Sequence, residues 1–132
     1  MASFRSALGR ARGLGSAKDG THHWWAQRIT ALALVPLSLW FVANVIGLIG
    51  APQLVVAQWI GHPINACLLA GLVVAAFHHA QLGLQVVIED YVHGEGVKTA
   101  ALLAVKAVCW LFAAAAVISI IRISVLIVVF RG

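Results

Sequence analysis

Three long apolar stretches dominate the chain, and the few polar positions between them divide it. Near-continuous runs of apolar residues cover about residues 29–49, 64–88 and 101–121. At a rise of 1.5 Å per residue, about 20 residues cross the roughly 30 Å hydrocarbon core of a bilayer, so each run is long enough to span. Backbone N–H and C=O groups in lipid have no water to bond, so stretches of this length and composition predict helices. With their polar ends included, the spans are predicted over about residues 25–49, 63–92 and 98–122. A tail of residues 1–23 precedes one membrane domain, residues 24–130. The first span contains Pro36, which lacks a backbone donor and predicts a kink. The expected fold is all-α and integral to the membrane.

Composition strengthens this reading. Of 132 residues, 62% are hydrophobic and 10% charged, with a mean hydropathy of +0.98, whereas a soluble globular domain carries about 25% charged residues. The net charge of +5 matters by location. Arg5, Arg10, Arg12 and Lys18 lie ahead of the first span, opposed by Asp19. A basic tail beside a membrane span fits the positive-inside rule and argues against nucleic acid as a partner. The stretch "GAPQLVVAQWIG" at 50–61 carries no charge, while Lys98 and Lys106 flank the connection at 89–98. These features predict a cytoplasmic N-terminus, an external first loop, a cytoplasmic second loop and a C-terminus outside. The first twenty residues are Arg-rich and acid-poor, as targeting segments are, but no signal-peptide apolar region and cleavage site follows, and they are read as a cytoplasmic tail.

Other residues add little chemistry. Cys67 and Cys109 lie singly inside apolar runs, far from any C-x-x-C spacing, and predict neither a disulfide nor a metal site. Trp24 and Trp25 before the first span, and Trp59 before the second, suit the headgroup layers. Arg122 is expected to snorkel at the external interface, followed by a short apolar tail.

The exception is "AFHHAQLGLQVVIEDYVHGEG", residues 76–96. Ionisable side chains are costly in hydrocarbon, yet His78 and His79 lie well inside the second span. With Tyr91 at the interface, His79 lies about 18 Å deeper, near the midplane. Eleven residues separate His79 from Asp90, which returns to within roughly 20° of the same helix face, and Gly83 shares that face. An imidazole beside a missing side chain suits an axial ligand of haem iron, with room for the macrocycle. It equally suits a histidine hydrogen-bonded to a neighbouring helix. A b-type haem takes two axial ligands, and His78 points about 100° away, so the second ligand would come from another chain and the three helices would form part of a larger bundle. Tyr91 beside Asp90 has two readings as well: a phenol donor to a quinone carbonyl with an acid to orient it or relay protons, or an interfacial tyrosine beside a solvated loop.

The segment "HAQLGLQVVIEDYVH" from His79 to His93 resembles the second helix of the small cytochrome b anchor subunit of succinate dehydrogenase (complex II), in its bacterial form. That helix carries His, Gly four later, and Asp-Tyr eleven and twelve later. The start of the chain, "SALGR" followed by "HHWWAQRITALAL" with its Arg-x-Thr-Ala, is similar to the same family. Motifs carry the resemblance over about residues 6–96, and the third helix matches by hydropathy alone. The resemblance implies that His79 ligates a haem b shared with the larger cytochrome b anchor subunit, and that Arg28 pairs with a haem propionate. It also implies that Tyr91 donates to ubiquinone, with Asp90 as its orienting neighbour. His22 and His23 fall near the propionates in a looser register, and His78 and Glu89 acquire no role. A flavoprotein and an iron–sulfur protein would be the soluble partners, and the bacterial inner membrane the location. The chain has no Rossmann glycine motif and no cysteine cluster, so it is expected to be part of an enzyme and not one by itself. Two other readings remain: a haem-binding anchor of another respiratory dehydrogenase, or a non-redox membrane scaffold or small channel.

Overall fold

The computed structural model describes residues 17–131. These form four helices and no strand: α1 (Ala17–Gly47), α2 (Gln53–Gly61), α3 (Pro63–Tyr91) and α4 (Glu95–Arg131). Three of them, α1, α3 and α4, are long and apolar enough to cross a membrane, as expected. Short polar or glycine-bearing breaks separate them. After α1 the chain turns through Gly50, whose φ of +79° lies in the left-handed region that favours glycine after a helix. His62 closes α2 and opens α3 with φ −65° and ψ 130°, the extended conformation that a following proline enforces. Pro63 then occupies the first turn of α3, where no backbone donor is needed.

α3 lies between α1 and α4, which do not pack on each other among the described residues. The few buried apolar side chains, Leu69, Leu82, Cys109 and Ala113, belong to α3 and α4. Large apolar side chains such as Leu32, Leu39, Ile46 and Phe130 are exposed. Such a surface would be a fault in water, but lipid tails are as apolar as leucine, and helices in a bilayer associate through close packing and hydrogen bonds instead.

The structure corrects three boundaries. The uncharged stretch at 50–61 is not a plain loop, because residues 53–61 form α2, and α2 packs on α3 and α4. A Cβ on buried Gly61 would come within 2.8 Å of Ile127, so glycine permits this approach, and Ser124 Oγ donates to the Gly61 carbonyl at 3.1 Å. That contact explains the second correction. α4 does not end near Arg122 but continues to Arg131, since its last turns have α2 to pack against. Arg122 is exposed within the helix. Third, α1 begins at Ala17, so His22, His23, Trp24 and Trp25 are helical and do not precede the span. Arg5, Arg10 and Arg12 lie outside the described residues.

At the other end of α1, Trp59 Nε1 donates to Asn44 Oδ1 at 3.1 Å. The Trp59 ring stacks on Trp40 with centroids 5.6 Å apart and planes 23° apart, tying α2 to α1. Asn65 Nδ2 donates to the Trp59 carbonyl at 2.8 Å. α1 itself runs through Pro36 without interruption.

Candidate functional site

His79 lies half-buried on the side of α3 that meets α1. Its Nδ1 lies 3.0 Å from the hydroxyl oxygen of Thr30, the third residue of the Arg-x-Thr-Ala sequence. The same hydroxyl is 2.8 Å from the Ala26 carbonyl and 3.0 Å from that of Gln27, the back-bond that threonine commonly makes within a helix. This is the one hydrogen bond of the His79 ring among the described residues. The structure therefore joins two motifs that lie 49 residues apart in the chain.

The surroundings of His79 are open on the glycine side. A Cβ on Gly83 would meet nothing within 4 Å, so the chain leaves free space one turn from the imidazole. An imidazole with one ring nitrogen unengaged, beside free space, has room for a flat ligand at that nitrogen. Among the described residues no three His, Cys, Asp or Glu side chains converge on one point, so a metal bound at His79 would draw its other ligands from elsewhere.

His78 faces the other way. Its ring centroid lies 5.9 Å from that of Trp110 on α4, and its Nδ1 is buried with no hydrogen-bond partner among the described residues. Successive residues on a helix diverge by about 100°, and the two histidines accordingly reach different neighbours.

Arg28 is exposed, with its guanidinium carbon 4.9 Å from the centroid of Trp24 one turn earlier, a cation–π contact. It lies about 200° around α1 from Thr30, and no contact joins it to His79. His23 comes seven residues before Thr30 and so shares its face to within about 20°. The His23 Nε2 is buried without a partner among the described residues.

Tyr91 is the last residue of α3 and is 78% exposed. Asp90 is exposed too. No hydrogen bond joins them, because adjacent helical side chains do not face each other. Glu89 is the engaged acid of this cluster: Gln85 Nε2 donates to its Oε1 at 2.8 Å, and Lys98 Nζ donates to its backbone carbonyl at 3.2 Å. The structure thus brings Thr30 to His79, and leaves Asp90, Tyr91 and Arg28 pointing outward from this chain. Thr30 was visible in the Arg-x-Thr-Ala sequence, but nothing in the spacing of one helix reveals a partner on another.

Three apolar spans, the central one bearing His78 and His79, define a multi-pass helical membrane protein. A family model described as the succinate dehydrogenase/fumarate reductase transmembrane subunit matches residues 3–129, and the chain belongs to that family. It is 39% identical over 103 residues to the succinate dehydrogenase hydrophobic membrane anchor subunit of Rickettsia bellii, covering 78% of this chain and 82% of that one. The Paracoccus denitrificans protein of the same name is 36% identical over 112 residues, covering 85% and 86%. The succinate dehydrogenase membrane anchor subunit of Reclinomonas americana is 30% identical over 96 residues, covering 69% and 78%. No solved structure matches significantly.

Proposed function

We propose that this chain is the small membrane anchor of a bacterial succinate dehydrogenase, holding one side of a b-type haem through His79 and forming part of a ubiquinone-reduction site at Tyr91. The observation that carries the haem assignment is the imidazole of His79, engaged only at Nδ1, beside the open space at Gly83. A second cytochrome b anchor subunit would supply the other axial ligand and cover the exposed side of α3. When bound, the haem supplies a one-electron redox centre between the soluble subunits and the quinone pool.

The residues of this chain have distinct tasks. His79 presents Nε2 as ligand and is held by Thr30. Arg28, exposed and in no ion pair among the described residues, is available to neutralise a propionate, a group costly to leave charged and unpaired in low dielectric. His23, with its unpartnered ring nitrogen, is a further polar neighbour for that end of the haem. Tyr91 donates its phenol hydrogen to a quinone carbonyl. Reduction of a quinone to a quinol takes up two electrons and two protons, and Asp90 at the water-facing end of the helix passes protons to that place. Asp90 does not orient Tyr91 within the isolated chain, so the partner subunits would complete that arrangement. The electrons come from succinate through a flavoprotein subunit and an iron–sulfur subunit docked at the cytoplasmic face.

The charge pattern supports this orientation. Lys98 and Lys106 lie beside the α3–α4 connection, whose acids Glu89, Asp90 and Glu95 count little in the positive-inside rule, while residues 50–61 carry no charge. The N-terminus and this connection are then cytoplasmic, with the C-terminus periplasmic. The test is affinity purification of the tagged chain from its native membrane, followed by polypeptide identification and a reduced-minus-oxidised visible spectrum. The expected result is three co-purifying subunits and a b-type haem spectrum. Co-purification of the partners without haem would leave a structural anchor and overturn the haem assignment.

A further inference from the structure

The contact between Thr30 and His79 contains more information than proximity. A threonine hydroxyl has one hydrogen and two lone pairs. Thr30 Oγ1 lies 2.8 Å and 3.0 Å from two backbone carbonyl oxygens, of Ala26 and Gln27, and a carbonyl can only accept. The hydroxyl hydrogen is therefore directed into the backbone of α1, and an oxygen lone pair is what remains for Nδ1 of His79 at 3.0 Å. A lone pair facing a ring nitrogen requires that nitrogen to carry the hydrogen. In the neutral imidazole the other nitrogen, Nε2, is then bare and able to bind a metal.

We infer that Thr30 is a positioning residue that fixes the tautomer and the ring orientation of His79, so that Nε2 is presented as a ligand before any metal arrives. This rests on the haem reading above. Histidines that bind metals ordinarily hold their second nitrogen through a carboxylate, a carbonyl or water. Here a hydroxyl takes that place, itself anchored to two carbonyls of the helix. A neutral acceptor suits a site within the membrane, where a carboxylate would be costly to bury. It also withholds the electron donation that a carboxylate would lend to the ring. β-Branching limits the rotation of Thr30 in a helix, so the acceptor is rigid as well as neutral.

Three variants test this. Thr30→Val keeps the shape and removes the acceptor, Thr30→Ser keeps the hydroxyl, and His79→Ala removes the ligand. The purified complex is examined for haem per assembled complex and for haem midpoint potential, with dye-linked succinate oxidation as the measure of assembly. Thr30→Val is expected to lose haem severalfold and to raise the potential, because a less electron-rich imidazole stabilises ferric iron less. Thr30→Ser is expected to restore both. A second readout needs no haem: nitrogen-15 NMR of the histidine-labelled full chain in detergent, with the His79 signals assigned by their absence in His79→Ala. The wild-type chain is expected to show a protonated Nδ1 and a bare Nε2, and Thr30→Val a mixture of tautomers. A bare Nδ1 in the wild type, or haem content and potential unchanged in Thr30→Val, would overturn the inference. The haem reading fails separately, through a wild-type complex without b-type haem or a His79→Ala complex that keeps it. If Thr30→Val does not assemble, the NMR comparison decides.

Discussion

The two sides of α3 are built differently, although the same helix provides both. Toward α4 the seam is filled by rings and small side chains around His78. It opens beyond Gln81 into a cavity of about 310 Å³ lined by Gln85, Thr99 and Lys106. Phe77 and Phe112 stack with centroids 6.4 Å and planes 9° apart, His78 lies against Trp110, and buried Cys109 and Ala113 complete the packing. The space among these residues is too small for a water molecule. Toward α1 a polar pair, Thr30 and His79, marks the contact, and the space beyond Gly83 is open. Two adjacent histidines thereby receive different settings, one packed against Trp110 and the other hydrogen-bonded to Thr30 beside open space. Filling a seam within a chain consolidates its fold, while open space beside a polar pair leaves room for a group or chain to enter.

The sharpest way to break this contrast is at the histidines. His79→Ala is expected to abolish the b-type absorbance of the assembled complex, and His78→Ala to preserve it. Visible spectra of the two purified complexes decide, and the reverse result would mean that the helix faces are wrongly assigned. The glycines sharpen the same distinction. Gly83→Leu enters space that the chain leaves empty, so it should lower haem content severalfold without reducing the yield of the isolated chain. Gly61→Ala forces a Cβ to within 2.8 Å of Ile127 and should cost about 1–3 kcal/mol of stability, as overpacking does. Its signature is a lower thermal midpoint with normal haem per intact complex.

A smaller effect is expected at the end of the helix. Tyr91→Phe removes a hydroxyl but keeps the ring, so assembly and dye-linked succinate oxidation should survive. Quinone reduction should fall by the worth of a lost hydrogen bond, about 1–3 kcal/mol or roughly 5- to 150-fold. Equal loss of both activities would give Tyr91 a structural role. The smallest change belongs to Arg28→Leu. An exposed charge contributes about 1 kcal/mol or less, so haem retention on dilution should weaken severalfold at most. Unchanged retention would leave Arg28 as the cation over Trp24.

Where the sequence succeeded, the physics was local to one helix. An apolar run of about 20 residues is long enough to cross a bilayer, and His79, Gly83 and Asp90 lie on one unbroken helix, as expected. Where it fell short, another helix decided. The stretch at 53–61 is too short to span and carries no charge, so alone it reads as a connection. In the structure it is a helix whose Gly61 packs against Ile127, on the part of α4 that continues past Arg122. Thr30 likewise reads as an ordinary helix residue until α3 places His79 against it. The early start of α1 had no clear signal, since Gly20 and the two histidines at 22 and 23 suggest a boundary by composition.

The stack of Trp40 on Trp59 has an optical consequence. Two indoles held this close couple their electronic transitions, and the coupling depends on their mutual angle. The pair should therefore contribute to the near-ultraviolet circular dichroism of the chain, as should Trp24 and Trp25 with centroids 5.2 Å apart. The Trp40–Trp59 part of that signal originates at the α1–α2 junction, at the opposite end of α3 from Tyr91. The chain thus carries an intrinsic reporter of whether that junction is formed, readable in every variant that retains Asn44.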